Sequence, residues 1–268
     1  MQFDANRAGG GTKEWSEHSY NISQGCSHGC LYCYAKEMAL RNGRTITAAG
    51  WLRESVNLSK VSQSNRRFDG VVMFPTTHDI TPAVLPASLQ TLKKLLSAEN
   101  HVLIVSKPHL AVIKTLCKAL ANHRDNIQFR FTIGSLDESV CAFWEPGAPL
   151  PKERIKALEH AFENGFQTSV SMEPMLGDME QMCRLVEAVD LFVTETIWLG
   201  KMNDISRRVD QTIPGAKQAI AAIQSQQSDA NIQRLYSMLK DNAKVRWKDS
   251  IKSVLMNLNS AVQCEKLS

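Results

Sequence analysis

Along the chain, short runs of β-branched and aromatic residues alternate with longer stretches in which apolar residues return every three or four positions, a pattern of strands separated by amphipathic helices. Strands are predicted at residues 18–23 (HSYNIS), 70–77 (GVVMFPTT), 101–107 (HVLIVSK), 127–135 (IQFRFTIGS), 166–174 (FQTSVSMEP) and 191–200 (LFVTETIWLG). Between them, Val84, Leu85, Leu89, Leu92 and Leu96 share one helical face, and Leu110, Ile113, Leu116 and Leu120 share another. A third helix opens at Pro151, turns Ile155, Leu158 and Phe162 inward and stops at Gly165, which suits a left-handed cap. A fourth follows Asp178 as N-cap, with Met179, Met182, Val186 and Val189 inward. Residues 34–69 are less regular; AKEMALRNG (35–43) reads as helix and the remainder as loop with helical pieces.

Strands alternating with helices six times imply parallel strands joined by right-handed crossovers, either an open doubly wound sheet or an incomplete barrel. After residue 200 the pattern turns helical throughout, with SDANIQRLYSMLK (228–240) and DSIKSVLMNLNSAV (249–262) as helices that close or flank the sheet. The expected organisation is a flexible N-terminal segment over 1–16, a core over 17–203 and a helical extension over 204–268 packed on it.

The length of 268 residues with 43% hydrophobic content suffices for one full core. No apolar run reaches eighteen residues and the first fifteen are polar, so neither a membrane span nor a secretory signal is expected, and the protein is expected in the cytoplasm. The formal charge is +4, and its excess is C-terminal: residues 201–268 carry eleven Lys and Arg against six Asp and Glu, whereas residues 1–200 carry twenty against twenty-one. Lys244, Arg246, Trp247, Lys248 and Lys252 lie close together, a mixture of cations and an aromatic that suits nucleic acid as well as a solvated helical face.

Seven cysteines are present, and Cys117, Cys141, Cys183 and Cys264 are too scattered for a disulfide framework and read as buried thiols. The other three, Cys26, Cys30 and Cys33, stand in GCSHGCLYCYA (25–35), directly after the first predicted strand, at the strand-end edge where parallel α/β folds carry their chemistry. Three thiolates at these spacings can wrap one face of a cuboidal iron-sulfur cluster and leave one iron open, whereas electron-transfer clusters ordinarily have four cysteines. An open coordination position is where a substrate or cofactor binds. The competing metal reading is a Cys3His zinc site that includes His28, although the spacing lacks a second paired knuckle.

The pattern CxxxCxxC with Tyr32 before its last cysteine resembles the radical SAM family. The resemblance implies a partial (β/α)6 TIM-type barrel, a 4Fe-4S cluster on Cys26, Cys30 and Cys33, and S-adenosylmethionine chelating the fourth iron. It also implies that an electron supplied by a flavodoxin- or ferredoxin-type donor breaks the sulfonium bond, and that the 5'-deoxyadenosyl radical takes a hydrogen atom from a substrate. Within the family, EPGAPLPKERIKALEHAFENGF (145–166) resembles the EPxAP segment of the spore photoproduct lyase-like branch, and IWLGKMN (197–203) resembles small radical SAM proteins, some encoded by phages. One departure counts against repair of the spore lesion: where that lyase has a hydrogen-donating cysteine after its second strand, this chain has FPTTHD (74–79), and Cys141 is the alternative donor to weigh.

Cofactor ligands are expected at the strand ends. Tyr32 would pack on the adenine side, Lys107 would meet the methionyl carboxylate, and Thr76, Thr77, Ser135 and Glu173 would line the site, with Ser106 and His78 nearby. Asp79 and Thr77 are equally suited to capping the next helix, Glu173 to an ion pair with Lys107 or Lys201, and Glu145 to a pair with Arg154. Lys201 and Asn203 are the substrate candidates, whereas Trp198 reads as core. Two other classes of function compete: a non-enzymatic iron-sulfur redox sensor, and a zinc-containing nucleic-acid-binding protein. No further cysteines are spaced for an auxiliary cluster, which disfavours multi-cluster peptide maturation.

Overall fold

The structure, a computed structural model, describes residue 3, residues 10–45 and residues 47–265, with side chains to residue 257. Its strands are β1 (His18–Ser19), β2 (Ser23–Gln24), β3 (Ser55–Val56), β4 (Val71–Phe74), β5 (His101–Ser106), β6 (Ile127–Thr132), β7 (Gln167–Met172), β8 (Ile197–Leu199) and β9 (Val245–Trp247). Seven of them form one all-parallel sheet in the order β1-β4-β5-β6-β7-β8-β9. That order never reverses, so the sheet has no switch point of the doubly wound kind. It is a partial TIM-type barrel.

Helices α1 (Tyr34–Arg41), α2 (Ala48–Trp51) and α3 (Leu58–Ser62) fill the connection from β2 to β4. α4 (Leu85–Ser97), α5 (Leu110–Ala119), α6 (Glu138–Trp144), α7 (Pro151–Glu163) and α8 (Met179–Asp190) occupy the following crossovers. Local chemistry sets their ends: Pro151 opens α7, Gly165 follows it at φ +74°, and Asp178 and Gln181 form a capping box on α8. The predicted faces are buried: Leu92, Leu96, Ile113, Leu116, Leu158 and Val186 pack against Ile127, Phe129 and Phe131 of β6 and their neighbours in one core.

Three expectations about the chain's course are corrected. Residues 18–23 do not make one strand: His18 and Ser19 join β4, while Ser23 and Gln24 leave to pair antiparallel with β3. The C-terminal part is not helical throughout. Between α9 (Ile205–Arg208), α10 (Ala216–Gln226), α11 (Asp229–Leu239) and α12 (Asp249–Glu265), the three residues of β9 extend the sheet beside β8. Ile232, Leu235, Leu239 and Val245 thereby enter the same core as the strands.

Of the N-terminal segment expected to be flexible, residues 1, 2 and 4–9 lie outside the described residues, while Glu14, Trp15 and Ser16 are buried. A 3-10 turn at Gly11–Glu14 leads to Trp15, which joins Met73, Leu103 and Trp198 in a second apolar cluster. The Arg130 guanidinium, fully buried on the non-core face of β6, stacks 4.8 Å from the Trp15 ring and 5.5 Å from that of Trp198. The segment thus fills the side of the sheet opposite α4–α8. Cys117 and Cys141 are buried as expected and Cys183 is half-buried, whereas the Cys264 side chain lies outside the description. Among the described residues no helix is long and apolar enough to cross a membrane.

Candidate functional site

The strand ends surround a cavity of about 490 Å³ that is lined by all three motif cysteines. The cysteine loop reaches it through two residues in the left-handed region, Gly25 (φ +86°) and Gly29 (φ +61°). A Cβ at Gly25 would run into the Arg53 and Trp51 carbonyls, and Cys26 N donates to Trp51 O at 2.9 Å, so the loop lies flat against residues 51–53. Cys33 is the N-cap of α1: its Sγ accepts from Lys36 N at 3.4 Å, which places it at the positive end of the helix.

The three thiols are free, and burial pushes Cys30 up to about 12 and Cys26 well above the usual thiol range. Left alone, Cys26 and Cys30 would stay protonated; a metal centre is the group that ionises such thiols. Among the described residues no three His, Cys, Asp or Glu side chains converge on a single ion position, as tetrahedral zinc requires. His28 is also committed elsewhere: its Nδ1 lies 3.2 Å from Asp79 Oδ2 and its Nε2 3.0 Å from His109 Nε2. Three thiols that line one cavity, with His28 paired to Asp79 and His109, offer three ligands and no fourth, the donor set that a 4Fe-4S cluster with one open iron would take.

Around the thiols, two carboxylates organise the walls. Asp79 joins the ends of β4 and β5: it accepts from the Ser106 hydroxyl and from Lys107 N at 3.0 Å, and faces His28. Burial alone would raise its pKa, but His28, then Lys107 and Ser106, hold it well below the usual carboxylate range. Asp79 is neither the helix cap nor a free ligand; Val84 is the N-cap of α4.

Glu145 anchors the other wall. It pairs with Arg154 at 2.5 Å with both side chains fully buried, accepts from the Tyr32 hydroxyl, and lies 3.9 Å from Lys107 Nζ. Against the cost of burial, Arg154 and Lys107 keep it ionised, while the Lys107 ammonium, against the opposing effect of burial, is raised by Cys30, Glu145 and Asp79. Lys107 also sits 5.6 Å over the Tyr32 ring. The EPGAP segment is therefore a strut under Tyr32 and Lys107.

Of the residues singled out from the sequence, Tyr32, Thr76, Thr77, Lys107, Glu173, Lys201 and Asn203 line this cavity. Ser135 does not: β6 ends at Thr132, three residues before the strand was expected to end, and Ser135 Oγ turns to accept from Asp137 N at 3.1 Å. Thr132 takes its place at the lining. Cys141 is buried behind the wall with its Sγ 3.8 Å from Ser135 O, which corrects its candidacy as a donor facing the cavity.

Glu173 pairs with Lys248 at 3.4 Å, not with Lys107 or Lys201. In the basic tail, Lys248 is buried against Glu14 at 2.8 Å, while on the surface Lys244 pairs with Asp190 at 3.2 Å and Lys252 with Asp249 at 3.3 Å.

Several contributors escaped sequence reasoning. Asn21 clamps the turn after β4, its Oδ1 accepting from Thr76 N at 2.7 Å and Thr77 N at 2.9 Å while its Nδ2 donates to Thr76 Oγ1 at 2.7 Å. Tyr34 donates to the Thr76 carbonyl. Arg208, Lys13 and Gly10–Thr12 also line the cavity, brought in by α9 and by the packed N-terminal segment. A tyrosine directly following the last motif cysteine was the one readable signal among these.

A thiol-lined mouth at the C-terminal ends of a half-barrel defines a class of metal-cofactor protein. The model of the radical SAM superfamily matches residues 20–192, and the chain belongs to that superfamily. Members use a 4Fe-4S cluster and S-adenosylmethionine. The uncharacterized protein ORF301 of Acidianus two-tailed virus is 28% identical over 204 residues, covering 72% of this chain and 67% of that protein.

In fold, the chain is similar to SuiB of Streptococcus suis, whose structure was solved bound to S-adenosylmethionine, with a TM-score of 0.53 at 14% identity over 84% of this chain and 48% of that one. A spore photoproduct lyase variant gives a TM-score of 0.53 at 14% identity over 87% of this chain and 76% of that one. The chain thus spans about half the length of SuiB.

Proposed function

We propose that this protein is a radical SAM enzyme in which Cys26, Cys30 and Cys33 hold the 4Fe-4S cluster and S-adenosylmethionine completes it. The observation that carries the reading is three free thiols lining one cavity at the strand ends, in a chain whose family uses that cluster. When bound, the cluster supplies the electron for reductive cleavage of S-adenosylmethionine to a 5'-deoxyadenosyl radical, which takes a hydrogen atom from the substrate.

The residues around it have separable tasks. Lys107, kept charged by Glu145 and Asp79, is suited to the methionyl carboxylate. Glu173 carries a carboxylate whose pKa is raised by burial and lowered in turn by Lys248, and it is suited to the amino group. Tyr32 presents its ring while its hydroxyl is tied to Glu145. The Thr76–Thr77 turn, fixed by Asn21, offers hydroxyls to the ribose. Lys201 and Asn203 stand at the same cavity for the substrate. An external one-electron donor of flavodoxin or ferredoxin type would approach over Leu52 and Arg53, which are exposed and cover the cysteine loop. Six free cysteines among the described residues suit a reducing compartment such as the cytoplasm.

Anaerobic reconstitution tests the reading. Wild-type protein should take up iron and sulfide, its reduced cluster should change its paramagnetic resonance spectrum when S-adenosylmethionine is added, and it should release 5'-deoxyadenosine. Cys30→Ala should do none of these. A cluster whose spectrum ignores S-adenosylmethionine would instead select the redox sensor, and one zinc without iron would select the zinc protein.

A further inference from the structure

We propose that the cavity binds a small substrate through a phosphate group held by Lys13, Lys201 and Arg208, an inference that rests on the radical SAM reading. The cavity lining contains four cationic residues, Lys13, Lys107, Lys201 and Arg208, against two acids, Asp79 and Glu173. Both acids are already engaged inside the protein, Asp79 with His28 and Glu173 with Lys248. Lys107 is matched by Glu145.

The other three cations are weakly compensated. Lys201 has Asp229 at 3.5 Å and Arg208 has Asp204 at 3.3 Å, acids that are 69% and 49% exposed, where water screens the attraction; Arg208 also acts on Glu173, but that carboxylate is already paired with Lys248. Lys13 has no ion-pair partner among the described residues. Arg208 Nε is buried and has no hydrogen-bond acceptor among the described residues.

S-adenosylmethionine brings a further sulfonium cation into the same space. Three loosely compensated cations beside it would repel it unless an anion joins them. The cations come from three separate segments: the 3-10 turn, the loop after β8, and α9. Donors supplied to one cavity by three separate segments suit a tetrahedral phosphate better than a planar carboxylate, which one guanidinium can satisfy. A cavity of about 490 Å³ that would also take the cofactor limits the substrate to a small molecule or to a group reaching in from the mouth. The tail that would have held a long nucleic-acid strand is committed to internal ion pairs.

Titration calorimetry on the full chain, with and without reconstituted cluster and S-adenosylmethionine, tests this with inorganic pyrophosphate, succinate and a twelve-nucleotide single strand as probes. The expected result is saturable pyrophosphate binding, with Kd raised at least about tenfold in Arg208→Gln and in Lys201→Gln and an intermediate value in Arg208→Lys. Asp204→Asn, which frees Arg208, should tighten binding; a merely structural role for α9 would make this variant bind more weakly.

No saturable pyrophosphate binding, succinate binding as tightly, unchanged Kd in both glutamine variants, or weaker binding in Asp204→Asn would each overturn the proposal. So would an oligonucleotide affinity that exceeds that for pyrophosphate and survives Arg208→Gln. If the cluster forms but pyrophosphate does not bind, this inference alone fails. If no cluster forms while binding tracks Arg208, the radical reading fails and the phosphate site stands.

Discussion

Two stretches of this chain look equally rich in chemistry, the cysteine loop at 25–35 and the basic tail at 244–252, and the fold uses them in opposite ways. In the loop, His28 and Tyr32 are tied to Asp79, His109 and Glu145, while the three thiols line the cavity with no disulfide partner. In the tail, the polar groups are nearly all answered from within the protein. Lys244 reaches Asp190, Arg246 donates to the Ala243 and Val245 carbonyls at 2.8 Å each, and Lys248 is enclosed by Glu14, Glu173 and the Trp15 ring 4.1 Å away. The Trp247 ring packs at a tilt against Tyr236, 5.3 Å between centroids. A dense motif becomes a site only where its groups face an opening without internal partners.

The largest effect expected on stability is in the strut beneath the loop. Glu145→Gln leaves Arg154 buried without its anion and should destabilise the protein by about 3–5 kcal/mol in urea unfolding at pH 7. Because the folded-state pKa of Glu145 is below its ordinary value, the contribution of its charge is present above the unfolded value of about 4.3 and lost as pH falls through the folded value. The gap between wild type and variant should therefore hold above about pH 5 and narrow at lower pH. A gap of constant size down to pH 3 would refute the charge argument.

Lys248→Met tests the tail. It keeps an apolar stem over Trp15 but leaves Glu14 and Glu173 facing each other, so a loss of about 3 kcal/mol is expected with iron and sulfide uptake unchanged. Unaltered stability together with lost cluster would reverse the roles assigned to the two regions. Smaller in energy, Lys107→Met should weaken S-adenosylmethionine binding by about tenfold, read by equilibrium dialysis on reconstituted protein. Arg246→Ala, an exposed cation bonded only to nearby carbonyls, should change stability by less than about 0.5 kcal/mol, and a larger change would mean the tail has a partner.

Much of the frame was readable before any coordinates. β4 to β8 and α4, α5, α7 and α8 carry apolar periodicities long enough to register, and proline, glycine and aspartate punctuate them. β9 was missed because three residues, Val245–Trp247, are too few to show a period of two and gain strand character only by pairing with β8. Ser135 was misplaced because the IGS run continues the apolar pattern past Thr132, where the ladder stops. Glu14 and Trp15 belong to a polar-looking terminus, yet they fill the second apolar cluster and the Lys248 pair across more than 230 residues of chain, as the Lys248–Gly11 separation of 237 shows.

By itself the sequence determined the three-cysteine motif, the alternation of strand and helix, and Tyr32 and Lys107 at strand-end positions, since each depends on neighbours a few residues apart. Only the tertiary structure decided that His28 pairs with Asp79, that Glu173 answers to Lys248, and that Lys13 and Arg208 line the same cavity as the motif cysteines. Those outcomes depend on distances between side chains far apart in the chain, which local periodicity does not encode and close packing alone fixes.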